Sequence, residues 1–154
     1  MPHNDSRPTE PRGEQTPVVL ATLVTQITDH VAAAPPDLAE TTSAITALLV
    51  AEPRNRDDVA AVVEAILDDA LGDPFRETTA NRWRALVPRW VHRPMLGATV
   101  RRMVELELLV PTGRYVHCTD ASARNTNKLQ PIYALDLIAL REHQADEAVT
   151  DAAC

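Results

Sequence analysis

Thr79-Ala80-Asn81-Arg82-Trp83-Arg84-Ala85-Leu86-Val87-Pro88, Arg89-Trp90-Val91-His92-Arg93-Pro94 and Met95-Leu96-Gly97-Ala98-Thr99-Val100-Arg101-Arg102-Met103-Val104-Glu105-Leu106-Glu107-Leu108-Leu109 follow one another without a break. The first run predicts a short helix from Ala80 to Val87, with Thr78 or Thr79 as its cap. Pro88 closes it, because proline has no amide to donate. Arg89 to Pro94 is a turn. Arg93 or Pro94 opens a longer helix, from about Pro94 to Leu109, with proline in its first turn. Beyond it, Arg114-Tyr115-Val116-His117-Cys118 and Ile132-Tyr133-Ala134-Leu135 predict two strands, and Ser122 to Lys128 is a polar tip between them. Phe75 to Glu77 is a short strand ahead of the first helix.

Charge separates this stretch from the rest. From Arg76 to Lys128 there are ten basic and four acidic residues, a net of +6. The remainder has five basic and eighteen acidic residues, so −13, and the chain as a whole carries −7. An acidic total argues against a polyanionic partner, but it averages over a strongly asymmetric chain. These arginines form either a binding surface or a solvated face.

At 154 residues the chain has room for one domain and an appendage. Phe75, Trp83, Trp90, Tyr115 and Tyr133 are its only aromatics. All five fall in the stretch above, which marks it as the expected centre of packing. Cys118 and Cys154 do not form a disulfide framework and fit a reducing, cytoplasmic setting. No apolar run approaches the roughly 20 residues that span a bilayer, and the N-terminus lacks the apolar segment of a signal peptide. One lysine against fourteen arginines suggests a high-GC genome.

Four segments are expected. Residues 1–16 form a polar tail that is too poor in apolar groups to offset the entropy of ordering. Residues 17–52 form an α-helical hairpin. Its first helix, Pro17 to Ala33, carries Leu20, Leu23, Val24, Ile27 and Val31 at helical spacing. Ala34-Pro35-Pro36 ends it. The second helix, about Pro36 to Ala51, carries Leu38, Ile45, Leu48 and Leu49. Both stripes need a partner surface, either the following domain or a second copy of the chain. Residues 55–140 form that domain, and 141–154 a C-terminal tail. The domain opens with a helix capped by Asn55 or Asp57 and running to Leu71, with Val59, Val62 or Val63, Ile66, Leu67 and Ala70 facing inward. Gly72 and Pro74 stop it. Asp68 and Asp69 splay about 100° apart on that helix and belong to a solvated face. Gly97, inside the longer helix, points to a close approach of the helix before it.

Helix, short strand, helix, turn, helix and hairpin is an order that resembles the winged helix-turn-helix family. More narrowly, the chain looks like small phage or mobile-element DNA-binding proteins of high-GC bacteria. Thr79 to Pro88, Pro94 to Ala98, Thr112-Gly113-Arg114-Tyr115 and Arg124 to Lys128 carry the resemblance, over about Asp57 to Leu140. The fold it implies is mainly α with a small β-wing: an N-terminal α-hairpin followed by a winged helix-turn-helix domain. The function it implies is sequence-specific duplex-DNA binding, in transcription regulation or in a phage or mobile element.

On that reading Pro94 to Leu109 is the recognition helix. Leu96, Val100, Met103 and Leu106 define its core side. Met95, Ala98, Arg101 and Arg102 then face the major groove, where small residues allow close approach and arginine reads guanine. Glu105, four residues after Arg101, is its partner along the helix. Arg82, Arg84, Arg89, Arg93 and Arg114, with Arg124, Asn125, Asn127 and Lys128 of the wing (about Thr119 to Gln130), are expected on the phosphate backbone. The alternative is a protein–protein interaction module that uses the same fold and its acidic hairpin without binding DNA. A homodimer through residues 17–52 would double the site read. Neither membrane nor small-molecule substrate is expected as a partner. No enzyme, cofactor or metal reading emerges. The four glycines make no phosphate-binding loop, and the histidines show no ligand spacing with the cysteines.

Overall fold

The computed structural model describes residues 15–119 and 127–141, with side chains from Val19 onward. The expected tail up to residue 14, the wing tip at 120–126 and the tail beyond 141 lie outside the described residues. The elements are α1 (Gln15–Ala33), α2 (Thr41–Ala51), α3 (Arg56–Leu71), β1 (Glu77–Thr78), α4 (Ala80–Trp83), α5 (Arg93–Glu105), β2 (Leu109–His117) and β3 (Leu129–Leu135). The described chain is mainly helical, with one three-stranded antiparallel sheet in the order β1-β3-β2.

α3 is the axis of the core. Val59, Val62, Val63, Ile66, Leu67 and Ala70 are all buried, as their spacing predicts. Ile27 and Val31 of α1 pack on one side of the core, and Met95, Ala98 and Met103 of α5 on another. Each large aliphatic side chain so buried contributes about 1.5–3 kcal/mol. The core is therefore aliphatic, which corrects the expectation that aromatics mark its centre. Only Trp83 of the five aromatics is buried, while Phe75, Trp90 and Tyr115 are exposed. Phe75 and Trp90 lie in turns, and Tyr115 follows the irregularity in β2, so none is held against α3.

Several boundaries differ from expectation for local reasons. α2 begins at Thr41, because Asp37 Oδ1 accepts the Ala39 N–H at 2.9 Å and bends the chain into an Asx turn. α4 is one α-turn followed by a 3₁₀ turn, Arg84–Leu86. α5 stops at Glu105, not at Leu109. Glu107 adopts φ 61°, its N–H donates to Val104 O at 3.0 Å, and the Leu108 N–H donates to Met103 O at 2.9 Å. This is a Schellman cap closed by a glutamate where glycine is usual. Gly113, at φ 81°, sits in the register shift between Pro111 and Tyr115 and allows β2 to bend there.

Candidate nucleic-acid interface

Carboxylates of α3 and the turn after it position α4 and the segment that leads into α5. Asp69 accepts the Thr78 hydroxyl at 2.6 Å and the Thr79 N–H at 3.4 Å, and pairs with Arg82 Nε at 3.0 Å. It caps α4 from across the chain, so neither threonine side chain does so. This corrects the reading of Asp69 as solvated; Asp68 is exposed. Arg82 also donates to Glu77 O at 2.7 Å and pairs with Asp73 at 3.5 Å. Asp73 accepts the N–H groups of Phe75 and Glu77 at 2.9 and 3.1 Å. The Glu77 amide is the main cause holding its carboxyl below the ordinary value of 3.8, with the Phe75 amide and Arg82 adding to it and burial opposing. Asp58, in the first turn of α3, accepts the His92 N–H at 3.0 Å and so fixes the residue before α5.

α5 presents a different flank to the core from the one expected. Met95, Ala98, Thr99, Arg102 and Met103 are buried against the other helices. Leu96, Val100 and Leu106, expected inside, are only partly buried. The helix is rotated by about one residue, roughly 100°, relative to the sequence reading. The cause is α2, which lies along α5 and covers the flank assigned to the major groove.

Three of the four expected base-reading residues are corrected on this ground. Met95, Ala98 and Arg102 face the protein interior and do not reach a base edge in this fold. Arg102 is 1 % exposed. Its guanidinium donates to the Ala34 carbonyl that ends α1 and pairs with Glu105 at 2.8 Å. Arg101 is partly exposed and is held by Glu40 and, at 3.3 Å, by Glu105. The expected Arg101–Glu105 pair is therefore present, with Glu40 as an additional partner.

The outward flank of α5 borders a groove of about 460 Å³ shared with α4 and β3. Trp83, Leu96, Val100, Val104 and Tyr133 make its walls largely apolar. Burial, with the nearby Tyr115 charge, raises the Tyr133 phenol above its usual value of 10.0. The Arg84 guanidinium lies 5.9 Å from the centre of the Trp83 ring. Arg84 Nε and Gln130 Oε1 are buried there without a hydrogen-bond partner. Gly97 faces the same groove, and a Cβ added to it would meet nothing within 4 Å. The close helix approach expected at Gly97 is absent: this side of the helix is open.

The wing is tied to α4 by a residue not singled out from the sequence. Asn81 Nδ2 donates to His117 O at 2.8 Å, and its Oδ1 accepts the Thr119 N–H at 3.1 Å. An asparagine in the first turn of a short helix was the available signal. Where the strands rejoin, the Cys118 N–H donates to Lys128 O at 2.9 Å and the Asn127 N–H to Cys118 O at 3.2 Å. Asn127 and Lys128 are exposed, whereas Arg124 and Asn125 lie outside the described residues. Arg114, at the base of the wing, pairs with Glu77.

The expected backbone-contact residues thus divide into two groups. Arg82 and Arg114 are engaged by carboxylates of the same chain. Arg84, Arg89, Arg93 and Lys128 make no ion pair among the described residues, and the last three are exposed. From Thr78 to Val104 the chain holds six arginines and no carboxylate. Arg89 and Arg93 flank the N-terminal end of α5, where the helix dipole adds positive potential. Among the described residues, no group of three or more His, Cys, Asp or Glu is placed to hold a metal, and no helix is long and apolar enough to cross a membrane. No protein-family model, curated protein or solved structure matches the chain.

Proposed function

We propose that the chain is a winged helix-turn-helix protein that binds duplex DNA in a sequence-specific way, as a transcription regulator or a phage or mobile-element DNA-binding protein. In this reading α3, α4 and α5 are the three helices, and β2 and β3 form the wing. One observation carries it: an acidic protein leaves the turn into α5 rich in arginine, without carboxylates, and with Arg89 and Arg93 exposed and unpaired. The interface is the N-terminal end of α5 with that turn, extended by Lys128 and Asn127 of the wing. Arg93 is the base-reading arginine, and the open Gly97 lets the helix backbone approach the groove edge. Arg84, Arg89 and Lys128 meet phosphates, and Arg101 stays with its carboxylate partners.

A second reading has its own support. The walls formed by Leu96, Val100 and Val104 are more apolar than DNA requires, and suit a protein partner of an interaction module that binds no DNA. Titration of a fluorescent random-sequence duplex with the full chain at low salt separates the two. Retention that weakens steeply with salt supports the DNA reading, because neutralised phosphates release counterions. No retention at about 50 mM salt, where such contacts are strongest, leaves the interaction module.

A further inference from the structure

The two N-terminal helices use their apolar surfaces differently. α1 buries Ile27 and Val31 in the core, with Leu20, Leu23 and Val24 packed beside them. Its stripe is satisfied within the chain. α2 buries Ser43, Ala47 and Val50 on its inner face. Its outer face holds Ile45, Leu48 and Leu49, with Leu38 in the turn before it. Leu38 and Leu48 are 84 % and 73 % exposed, and Ile45 is 53 % exposed. The spacings of three, four and seven residues put these side chains in one stripe. No described part of the chain covers it.

We propose that the outer face of α2 is covered by α2 of a second copy, antiparallel, about a two-fold axis near Ile45 and Thr46. The charges at its two ends argue for both the partner and the direction. Asp37 and Glu40 precede the helix, and Arg54 follows it with its side chain 82 % exposed. Arg54 meets only Glu52, at a loose 3.6 Å. A parallel pair would set the acidic starts of both helices against each other. An antiparallel pair brings each Arg54 beside the Asp37 of the other copy, because the two lie equally far from the helix midpoint. It also opposes the two helix dipoles. A two-fold contact uses one patch twice, which suits a stripe that is apolar at its centre and opposite in charge at its ends.

The patch is small. An 11-residue helix is about 16 Å long, and one such face buries less than the roughly 1,200–2,000 Å² of a standard stable interface. The dimer is therefore a reversible one, with a dissociation constant of about 10–100 μM.

Sedimentation equilibrium on the full chain, from about 5 to 500 μM to bracket that affinity, tests it. The expected mass rises from 16.9 kDa toward twice that value. Ile45→Glu with Leu48→Glu holds it at the monomer throughout. Should that pair disturb folding, Arg54→Glu alone serves, because its exposed side chain bears no part of the core. It weakens association by about tenfold or more, and Asp37→Arg in the same chain restores it. A monomer across the whole range overturns the proposal and leaves the face to a different protein. So does a dimer indifferent to Ile45→Glu with Leu48→Glu, which places the contact elsewhere. Failure of the charge exchange to restore association overturns the antiparallel direction. None of these results depends on DNA.

Discussion

Arg102 and Arg93 stand nine residues apart on one helix and have opposite surroundings. Arg102 is sealed between α5 and the end of α1, bonded to a carbonyl and a carboxylate. Arg93 projects from the first turn of the same helix with no acidic partner. The contrast extends to their neighbours. Arg82, Arg101 and Arg114 each close an ion pair that ties two elements of the fold. Arg84, Arg89 and Lys128 do not. The net charge of a segment therefore counts two populations together. One neutralises the acid of the surrounding helices and holds the fold, and the other is free to meet a partner.

Stability measurements sharpen that division. The largest effect is expected at Arg102. Arg102→Ala leaves Glu105 and the Ala34 carbonyl without their donor and costs about 3 kcal/mol or more in urea unfolding. Arg93→Ala and Arg89→Ala stay within about 0.5 kcal/mol. Equal losses at all three positions would erase the distinction. A smaller effect belongs to Arg82, whose side chain is half exposed. Arg82→Ala is expected to cost about 1 kcal/mol, since solvent screens part of its pairing with Asp69 and Asp73.

Asp73 gives that same cluster a pH signature. Its folded carboxyl sits below the ordinary 3.8. Its contribution is therefore present above that value and is lost as pH falls through the lower folded one. Asp73→Asn should flatten the acid limb of a stability-versus-pH curve and leave the neutral region with the same slope. An unchanged acid limb would show that Asp73 contributes nothing through its charge. The smallest effect has the opposite sign. Gly97→Ala places a methyl group in open space inside a helix, so it raises stability by up to about 1 kcal/mol. It also weakens duplex binding if the helix backbone approaches the groove edge there.

The order of the helices and the paired strands was readable from local chemistry. Pro35 and Pro36, Gly72 with Pro74, and Pro88 each interrupt a periodic pattern where the structure interrupts a helix. The apolar period of α3 was unambiguous because that helix is buried along its whole length. α5 was not, because it is covered by α3 and α2 and bordered by a groove. Its leucines and valines admit two inward flanks, and the choice depends on contacts such as Arg102 with Ala34, 68 residues away. The charge of Arg102 argued for the surface, and only a carbonyl and a carboxylate supplied from the fold make its burial tolerable. The end of α5 was obscured for a related reason. Glutamate at Glu107 does not announce a left-handed residue as glycine would. The cationic character of the turn was legible, but which arginines remain unpaired was not, because Asp69, Glu77 and Glu40 reach theirs from other elements.

Duplex binding by the full chain and by Arg89→Ala with Arg93→Ala, followed by fluorescence anisotropy across salt concentrations, tests the central claim most directly. The account predicts that the unaltered chain binds at low salt, and that the double variant, folded and equally stable, binds every duplex more weakly. The slope of log affinity against log salt should fall by about 0.9 for each phosphate contact removed. Equal binding by both proteins, or none by the unaltered chain at about 50 mM salt where such contacts are strongest, would contradict it.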